Sequence, residues 1–422
     1  MAVIKFRNPY SQLMPENDSD EDDYDYEEDD GRIFIDEEIE DSDRLWERRR
    51  EILRLVLHWG WIAGAAAGFL ALMVFLASQR VYTGASTSTI LEMDSQEGTE
   101  FAALGSNVVY YSKDGASCLN SNGTLIWSQS FEMQRPLTSV SGDVMAIGDY
   151  SGSTIYLFGE KEILGSVDTN MPIRALSVSE SGEVAAVLAD TDVTWVYLFD
   201  KSGNTIAYFK TTMEQSGYPI SVSVSPSGEL VCVSHLLTKS DGVSTSIAFY
   251  NFGSVGQNVA ENNVSGFNYE DEIFPVTAYL SNSVCAAVSD SRIAFFTGKE
   301  IPQSSTNAMF TDELKGVYIG ENYIGLLFED TSGEEDYSLQ IYDISGQIAG
   351  TISFSMDFTD IQIAGKNVFI SSQTGLLIYN VNGRQRYDGE FEESAREVVP
   401  RDDTMSRFYL VTDNGLEQMV LR

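Results

Sequence analysis

The chain has 422 residues, a formal charge of −38 at pH 7, and 64 acidic against 26 basic side chains with only two histidines. Nucleic-acid affinity comes largely from Lys and Arg on phosphates, so this balance excludes DNA or RNA binding and leaves cationic partners, divalent ions or plain solubility. The charge divides unevenly, −10 over residues 1–80 and −28 over residues 81–422, and the length leaves ample room for one large domain.

Residues 1–13, MAVIKFRNPYSQL, are short, basic and partly apolar and continue no periodic pattern; they read as a disordered terminus or a docking motif. Residues 16–43 carry acids almost continuously and cannot bury enough apolar surface to offset chain entropy. Residues 1–43 are therefore expected to be a disordered acidic tail. Within it Ile33, Phe34 and Ile35 form a small apolar island suited to recognition. From residue 44 to 54 the pattern turns helical and basic, with Arg44, Arg48, Arg49, Arg50 and Arg54.

An apolar run follows at 55–77. At about 1.5 Å per helical residue it is about 35 Å long, enough for a hydrocarbon core of about 30 Å. A signal peptide would have an apolar region about half as long, and no small-residue cleavage pattern follows Ala77. Five arginines at the front edge against Arg80 behind it place the N-terminus in the cytoplasm and the rest of the chain outside. His58, Trp59 and Trp61 sit at head-group depth. Gly60, Gly64 and Gly68 recur at four-residue spacing, a pattern that lets two membrane helices approach closely and dimerise, although glycine is also common in membrane helices generally.

Beyond a Thr/Ser/Gly-rich linker at 78–88 the hydrophobic period changes to two. Apolar, β-prone runs at 108–112, 144–147, 184–188, 230–233, 284–288, 323–328, 368–370 and 408–411 are each followed by turn residues and most by a second strand. Glycine-bearing turns recur at Gly123, Gly159, Gly203, Gly253, Gly298, Gly346 and Gly383, with spacings of 36, 44, 50, 45, 48 and 37 residues. Four short strands per unit and a period of this size describe an all-β propeller over 89–422, eight blades with seven as the alternative. The last unit lacks an outer strand, and residues 89–93 are the candidate to supply it, closing the ring and removing exposed sheet edges.

The unit endings LNSNGTLIW (119–127), LFDKSG (198–203), IYDISG (341–346) and IYNVNG (378–383) resemble repeats of the quinoprotein-like, WD40- and PQQ-like, propeller superfamily. The whole layout resembles a family of single-pass membrane proteins of Gram-positive anaerobes classed as a domain of unknown function. That resemblance covers nearly the full chain and implies fold and location but no activity. Only Trp127 fills the tryptophan position of the repeats and no adjacent cysteine pair is present, which argues against quinone-dependent oxidation and against a cofactor.

Chemistry is sparse. His235, the only histidine beyond the span, lies among apolar neighbours and reads as structural. Cys118, Cys232 and Cys285 lie in apolar runs and read as small core residues; Cys232 and Cys285 occupy corresponding places in successive units, so a bridge between them is the alternative. Zinc clusters and a Gly-x-Ser-x-Gly elbow are missing. An acid follows the second strand of most units: Asp114, Asp149, Asp190, Asp241, Asp290, Asp330 and Asp413, with Gln373 in the remaining one. Equivalent positions share one face of a propeller, so these carboxylates are expected to form an acidic face for a cationic partner or calcium, although aspartate also favours turns by bonding its own backbone. Insertions at 237–246, at 253–273 with Phe267 and Tyr269, and at 329–337 are candidate recognition loops. The expectation is a membrane-anchored, extracytoplasmic propeller that binds a protein partner and is not an enzyme, with a cell-wall polymer or small-ligand sensor as the alternative and a propeller hydrolase behind both.

Overall fold

The computed structural model describes residues 58–70, 72–73, 80–92, 98–191, 193–214, 216–239, 242–330, 333–401 and 404–422. The chain divides into two units, 1–79 and 80–422. In the first, residues 58–70 and 72–73 are helical and exposed, and they fall inside the expected span. Among the described residues no helix is long and apolar enough to cross a membrane. The acidic tail, the basic segment 44–54 and the remaining positions of the run 55–77 lie outside the described residues.

The second unit is a closed ring of eight four-stranded antiparallel sheets, the expected eight blades rather than seven. Blades 1 to 7 span 100–130, 136–168, 173–211, 218–270, 276–309, 314–354 and 360–390, and within each the strands pair in chain order. Blade 8 takes three strands from 395–421 and its outermost from the front of the unit: Ala85–Glu92 pairs antiparallel with Gly415–Leu421, from Ala85 opposite Leu421 to Glu92 opposite Gly415. The closing strand was expected at 89–93 and begins four residues earlier. Its Ser and Thr residues read as linker in sequence but serve well on a half-exposed outer strand.

The first strand of each blade is innermost, and from blade 2 round to blade 8 each packs on the first strand of the next, with Ala395–Arg401 against Glu100–Leu104 across the closure. The second strands, such as Val184–Ala189 and Val284–Val288, are buried along almost their whole length because both sheet faces meet a neighbouring blade. That is why they read as unbroken apolar runs rather than as an alternating pattern. The buried apolar residues form eight layers, one at each blade junction. Trp127 shows how a junction is fixed: its ring stacks on Phe158 at 4.6 Å and 11°, and its indole Nε1 donates to the Gly159 carbonyl at 3.0 Å.

The quoted unit endings are four copies of one turn. Asn120, Asp200, Asp343 and Asn380 each accept two backbone N–H groups on Oδ1, from the residues two and four further on, at 2.8–3.2 Å. The glycine three residues on sits at a φ of 75° to 83°, a left-handed conformation that L side chains avoid. It also lies against the outer strand of the preceding blade: a Cβ on Gly203 would be 2.7 Å from the Ser166 carbonyl oxygen, and one on Gly383 2.5 Å from that of Thr351.

Two of the expected loops are not loops. Residues 237–246 largely lengthen a hairpin whose strands are Leu230–Lys239 and Gly242–Asn251, since Thr238, Val243 and Thr245 there are good strand formers. In 253–273, two short 3-10 turns take up the extra length, and Asn263–Glu270 is the outer strand of blade 4. Phe267 and Tyr269 are packing residues, 4.9 Å from the Phe296 ring and 4.5 Å from the Phe274 ring respectively.

Candidate functional site

Gly60, Gly64 and Gly68 fall on one face of the helix at 58–70, and nothing lies within 4 Å of where a Cβ would be at any of them. Asp114, Asp149, Asp190, Asp290, Asp330 and Asp413 lie in or at the start of the turn between the second and third strands of their blades, which places them at one end of the propeller; Asp241 is outside the described residues. Several have local work there. Asp149 Oδ1 accepts the N–H groups of Gln134 and Arg135 at 3.0 and 2.8 Å, Asp190 Oδ1 accepts that of Thr191 at 2.7 Å, and Asp413 pairs with Arg396 at 2.6 Å. Asp114 lines a cavity of about 330 Å³ on blade 1 together with Tyr110, Ser112 and Ser128.

Sequence reasoning missed a second set of acids at that same end, on the innermost strands. Asp360 stands opposite Ser371, Glu397 opposite Val411 and Glu100 opposite Tyr111. Each partner lies four residues before the glycine that opens the third strand, Gly375, Gly415 and Gly115. The three carboxylates therefore hold one register position in blades 7, 8 and 1, on both sides of the ring closure. Gln362 Nε2 donates to Asp360 Oδ2 at 2.6 Å and to the Val398 carbonyl at 2.9 Å, and the Tyr111 hydroxyl donates to Glu100 Oε2 at 2.6 Å. Burial, opposed in part by the Phe101 backbone and reinforced by the charges of Asp360 and Glu100, pushes the Glu397 carboxyl up to about 7.

Across the ring, neutral side chains make the corresponding links between innermost strands. Ser139 Oγ accepts the N–H of Val178 at 3.1 Å, Ser177 Oγ that of Val224 at 3.1 Å, and Ser223 Oγ that of Tyr279 at 2.9 Å. The inner wall is thus hydroxyl-lined on blades 2 to 4 and carboxylate-lined on blades 7, 8 and 1.

The acidic side extends onto the surrounding connections. Glu329 ends the second strand of blade 6, Asp330 and Glu335 lie between it and the third, Asp357 is on the connection to blade 7, and Glu392 and Glu393 are on the connection to blade 8. Lys315 lies among them, 3.0 Å from both Glu313 and Glu329. Two cavities open within this sector. One of about 320 Å³ is lined by Asp388, Glu390, Glu392, Glu393 and Glu417 beside the entering segment at 83–87. The other, of about 900 Å³, lies between blades 6 and 7 and has Glu335, Asp357, Asp388 and Glu390 in its lining.

His235 and the three cysteines are packing residues. His235 is 2% exposed; burial lowers its pKa to about 4, against a smaller raising effect from the Gly217 backbone. Its Nε2 lies 3.4 Å from the Tyr250 hydroxyl. Cys118, Cys232 and Cys285 are buried free thiols, so the alternative bridge between Cys232 and Cys285 is not formed. Burial pushes Cys118 up to about 12 and Cys232 well above its ordinary value, which keeps both protonated and poor nucleophiles. Among the described residues no group of three or more His, Cys, Asp or Glu side chains is placed to hold a metal ion. On the rim of blade 3 an aromatic shelf reaches solvent: Tyr208, 59% exposed, stacks on Tyr197 at 5.0 Å and 15°, with Trp195 at 5.8 Å.

Two crystal structures of Sqt1 from Chaetomium thermophilum superpose with TM-scores of 0.51 and 0.52 at 11% identity, covering 80% of this chain and 98% and 100% of those chains. At that identity the likeness shows the propeller fold alone. BamB from Moraxella catarrhalis matches at 13% identity over 81% of this chain and 100% of its own, with a TM-score of 0.46. No sequence among the curated proteins matches. A family model matches residues 78–421, the whole propeller, and the chain accordingly belongs to the family of unknown function DUF5711.

Proposed function

We propose that this protein is a membrane-anchored, extracytoplasmic propeller that acts as a protein-interaction module, using the acidic sector at the end of the ring that carries the turns between second and third strands. The observation that carries the reading is the register-matched set Asp360, Glu397 and Glu100, continuous with the carboxylates of blades 6 to 8. Three carboxylates at one position cost stability, since ionised neighbours repel, and a fold that keeps them gains from a partner of opposite charge. The apolar run 55–77 with arginines at its front edge supports the anchor and the outward orientation of the propeller, and Gly60, Gly64 and Gly68 support pairing of two anchors. The acidic tail is suited to a cytoplasmic contact of its own. Neutralising the sector is expected to release the partner; Asp330→Asn, Glu335→Gln, Asp357→Asn and Glu393→Gln together test this by co-purification from cells.

A second reading, a sensor for a cell-wall polymer or small ligand, is favoured by the aromatic shelf of Trp195, Tyr197 and Tyr208, since exposed rings stack on the apolar faces of ligands. Tyr208→Ala would abolish such binding without touching the acidic sector. Glu397, with its raised pKa beside Glu100 and Asp360, also has the elements of a hydrolytic acid–base pair. None of the three lines the cavities described above, so the interaction reading stands first.

A further inference from the structure

The largest of the three cavities, about 900 Å³ between blades 6 and 7, has the size of a ligand site and a consistent chemistry. Its wall combines aromatic rings, uncharged amides and carboxylates. Phe358 is held edge-on by Tyr337 at 5.2 Å and by Phe354 at 5.8 Å, so its ring is fixed where the blades meet. Tyr379 lies opposite Gln385 on adjacent strands of blade 7, and Leu377 opposite Asp388, which puts ring, amide and acid on one sheet face. Glu335 comes from blade 6 and Asp357 from the connection between the blades, so acids approach from both sides. Among the described residues no lysine or arginine lines the cavity. At the second-to-third-strand turn, where other blades place aspartate, blade 7 has Gln373, and that neutral amide is part of the lining.

We propose that this cleft binds an extended peptide segment of a partner protein through its lysine or arginine side chains. The inference rests on the interaction reading above and names the site and the partner chemistry. A guanidinium or ammonium group gains from the face of Tyr379 or Phe358 and from charge-assisted bonds to Asp388 or Glu335. Tyr379, Asp388 and Glu335 line the same cavity, and burial, with the charges of Asp388 and Glu335 added to it, raises the Tyr379 phenol pKa. The side chains of Gln373 and Gln385 supply donors and acceptors of the kind a peptide backbone pairs with and a polyamine does not. An acidic segment finds no lysine or arginine in this lining to compensate its desolvation.

The test uses the purified full-length chain and fluorescence anisotropy with three probes: a labelled octapeptide alternating Lys/Arg with Gly/Ser, the same peptide with Glu at the charged positions, and labelled spermine. The basic peptide is expected to bind, the acidic one not at all, and spermine at least tenfold more weakly than the basic peptide. The pair Glu335→Gln and Asp388→Asn, both exposed side chains, is expected to weaken the basic peptide at least tenfold. Gln373→Lys, a second variant at an exposed position, is expected to abolish binding, while Asp190→Asn on blade 3 leaves it unchanged. Equal binding by wild type and both cleft variants would overturn the cleft while leaving the acidic sector as the interaction surface. Spermine binding as tightly as the peptide, with the same sensitivity to the variants, would overturn the peptide assignment in favour of a polyamine. Failure of the basic peptide to bind wild type would overturn the proposal outright.

Discussion

Glu397, on the innermost strand of blade 8, and Glu100, on the innermost strand of blade 1, hold the same register position on either side of the seam where the two ends of the propeller meet. On blades 2 to 5 the links between innermost strands come from serines, which do not titrate in this range.

That difference gives a pH signature. The Glu397 carboxyl is raised from its ordinary 4.5 to about 7 in the folded protein, so the unfolded chain ionises first. Stability from this group is full below about pH 4.5, is lost as pH rises toward 7 and is constant above. At 1.36 kcal/mol per pKa unit the loss is at most about 3 kcal/mol. His235, lowered from 6.5 to about 4, acts in the opposite sense: its contribution is full above about pH 6.5 and is lost as pH falls toward 4. The two slopes oppose over nearly the same window. Glu397→Gln is therefore expected to turn a shallow wild-type profile into one that rises with pH between 4.5 and 6.5, measured by urea denaturation; parallel profiles would contradict the assignment.

The glycine turns give a graded prediction. Gly203→Ala and Gly383→Ala each force a left-handed φ on an L side chain, at a cost of roughly 1–2 kcal/mol, and also push a Cβ into a backbone carbonyl of the preceding blade. Gly333→Ala has a similar φ of 76° but nothing within 4 Å, so it carries the first cost alone. Thermal melts should place Gly203→Ala and Gly383→Ala clearly below Gly333→Ala, and equal losses in all three would mean the contact with the preceding blade contributes little.

Trp127→Phe keeps a ring against Phe158 and removes the indole donor from the Gly159 carbonyl. The expected cost is about 1–2 kcal/mol, the usual penalty of losing one buried hydrogen bond, read from chemical denaturation. Wild-type stability in this variant would show that the stacking alone fixes the junction.

Deleting residues 80–92 removes the closing strand and exposes the edge of Gly415–Leu421 along its length. The truncated protein is expected to self-associate and to lose cooperative unfolding, seen by light scattering and differential scanning calorimetry. A monomeric, cooperatively unfolding product would show that the ring is held by its inner strands alone.

The second strands were legible in sequence because both of their faces are buried: runs such as 184–188 and 284–288 have no polar face to disguise them. The turn aspartates were legible as a recurring position because each follows such a run. Asp360, Glu397 and Glu100 were not, because each sits on a first strand between a polar and an apolar residue and looks like the ordinary solvent-facing acid of an alternating strand. Only the register of Ser371, Val411 and Tyr111 reveals that the three match. The cleft between blades 6 and 7 was equally hidden, since Glu335, Asp357 and Asp388 come from separate elements and no spacing in the chain links them. Phe267 and Tyr269 misled in the opposite direction. Aromatic residues in a long insertion suggested recognition, whereas two 3-10 turns absorb the insertion and return both rings to the core.

The most direct test of the interaction reading is in-cell crosslinking with mass spectrometry on three baits: the full chain, a chain lacking residues 1–43, and the full chain carrying Asp330→Asn, Glu335→Gln, Asp357→Asn and Glu393→Gln. Discrete protein partners recovered by the first two baits and lost from the third are the predicted result. An unchanged set of partners on the third bait, or partners lost only with the tail, would contradict an interaction surface on the acidic sector of the propeller.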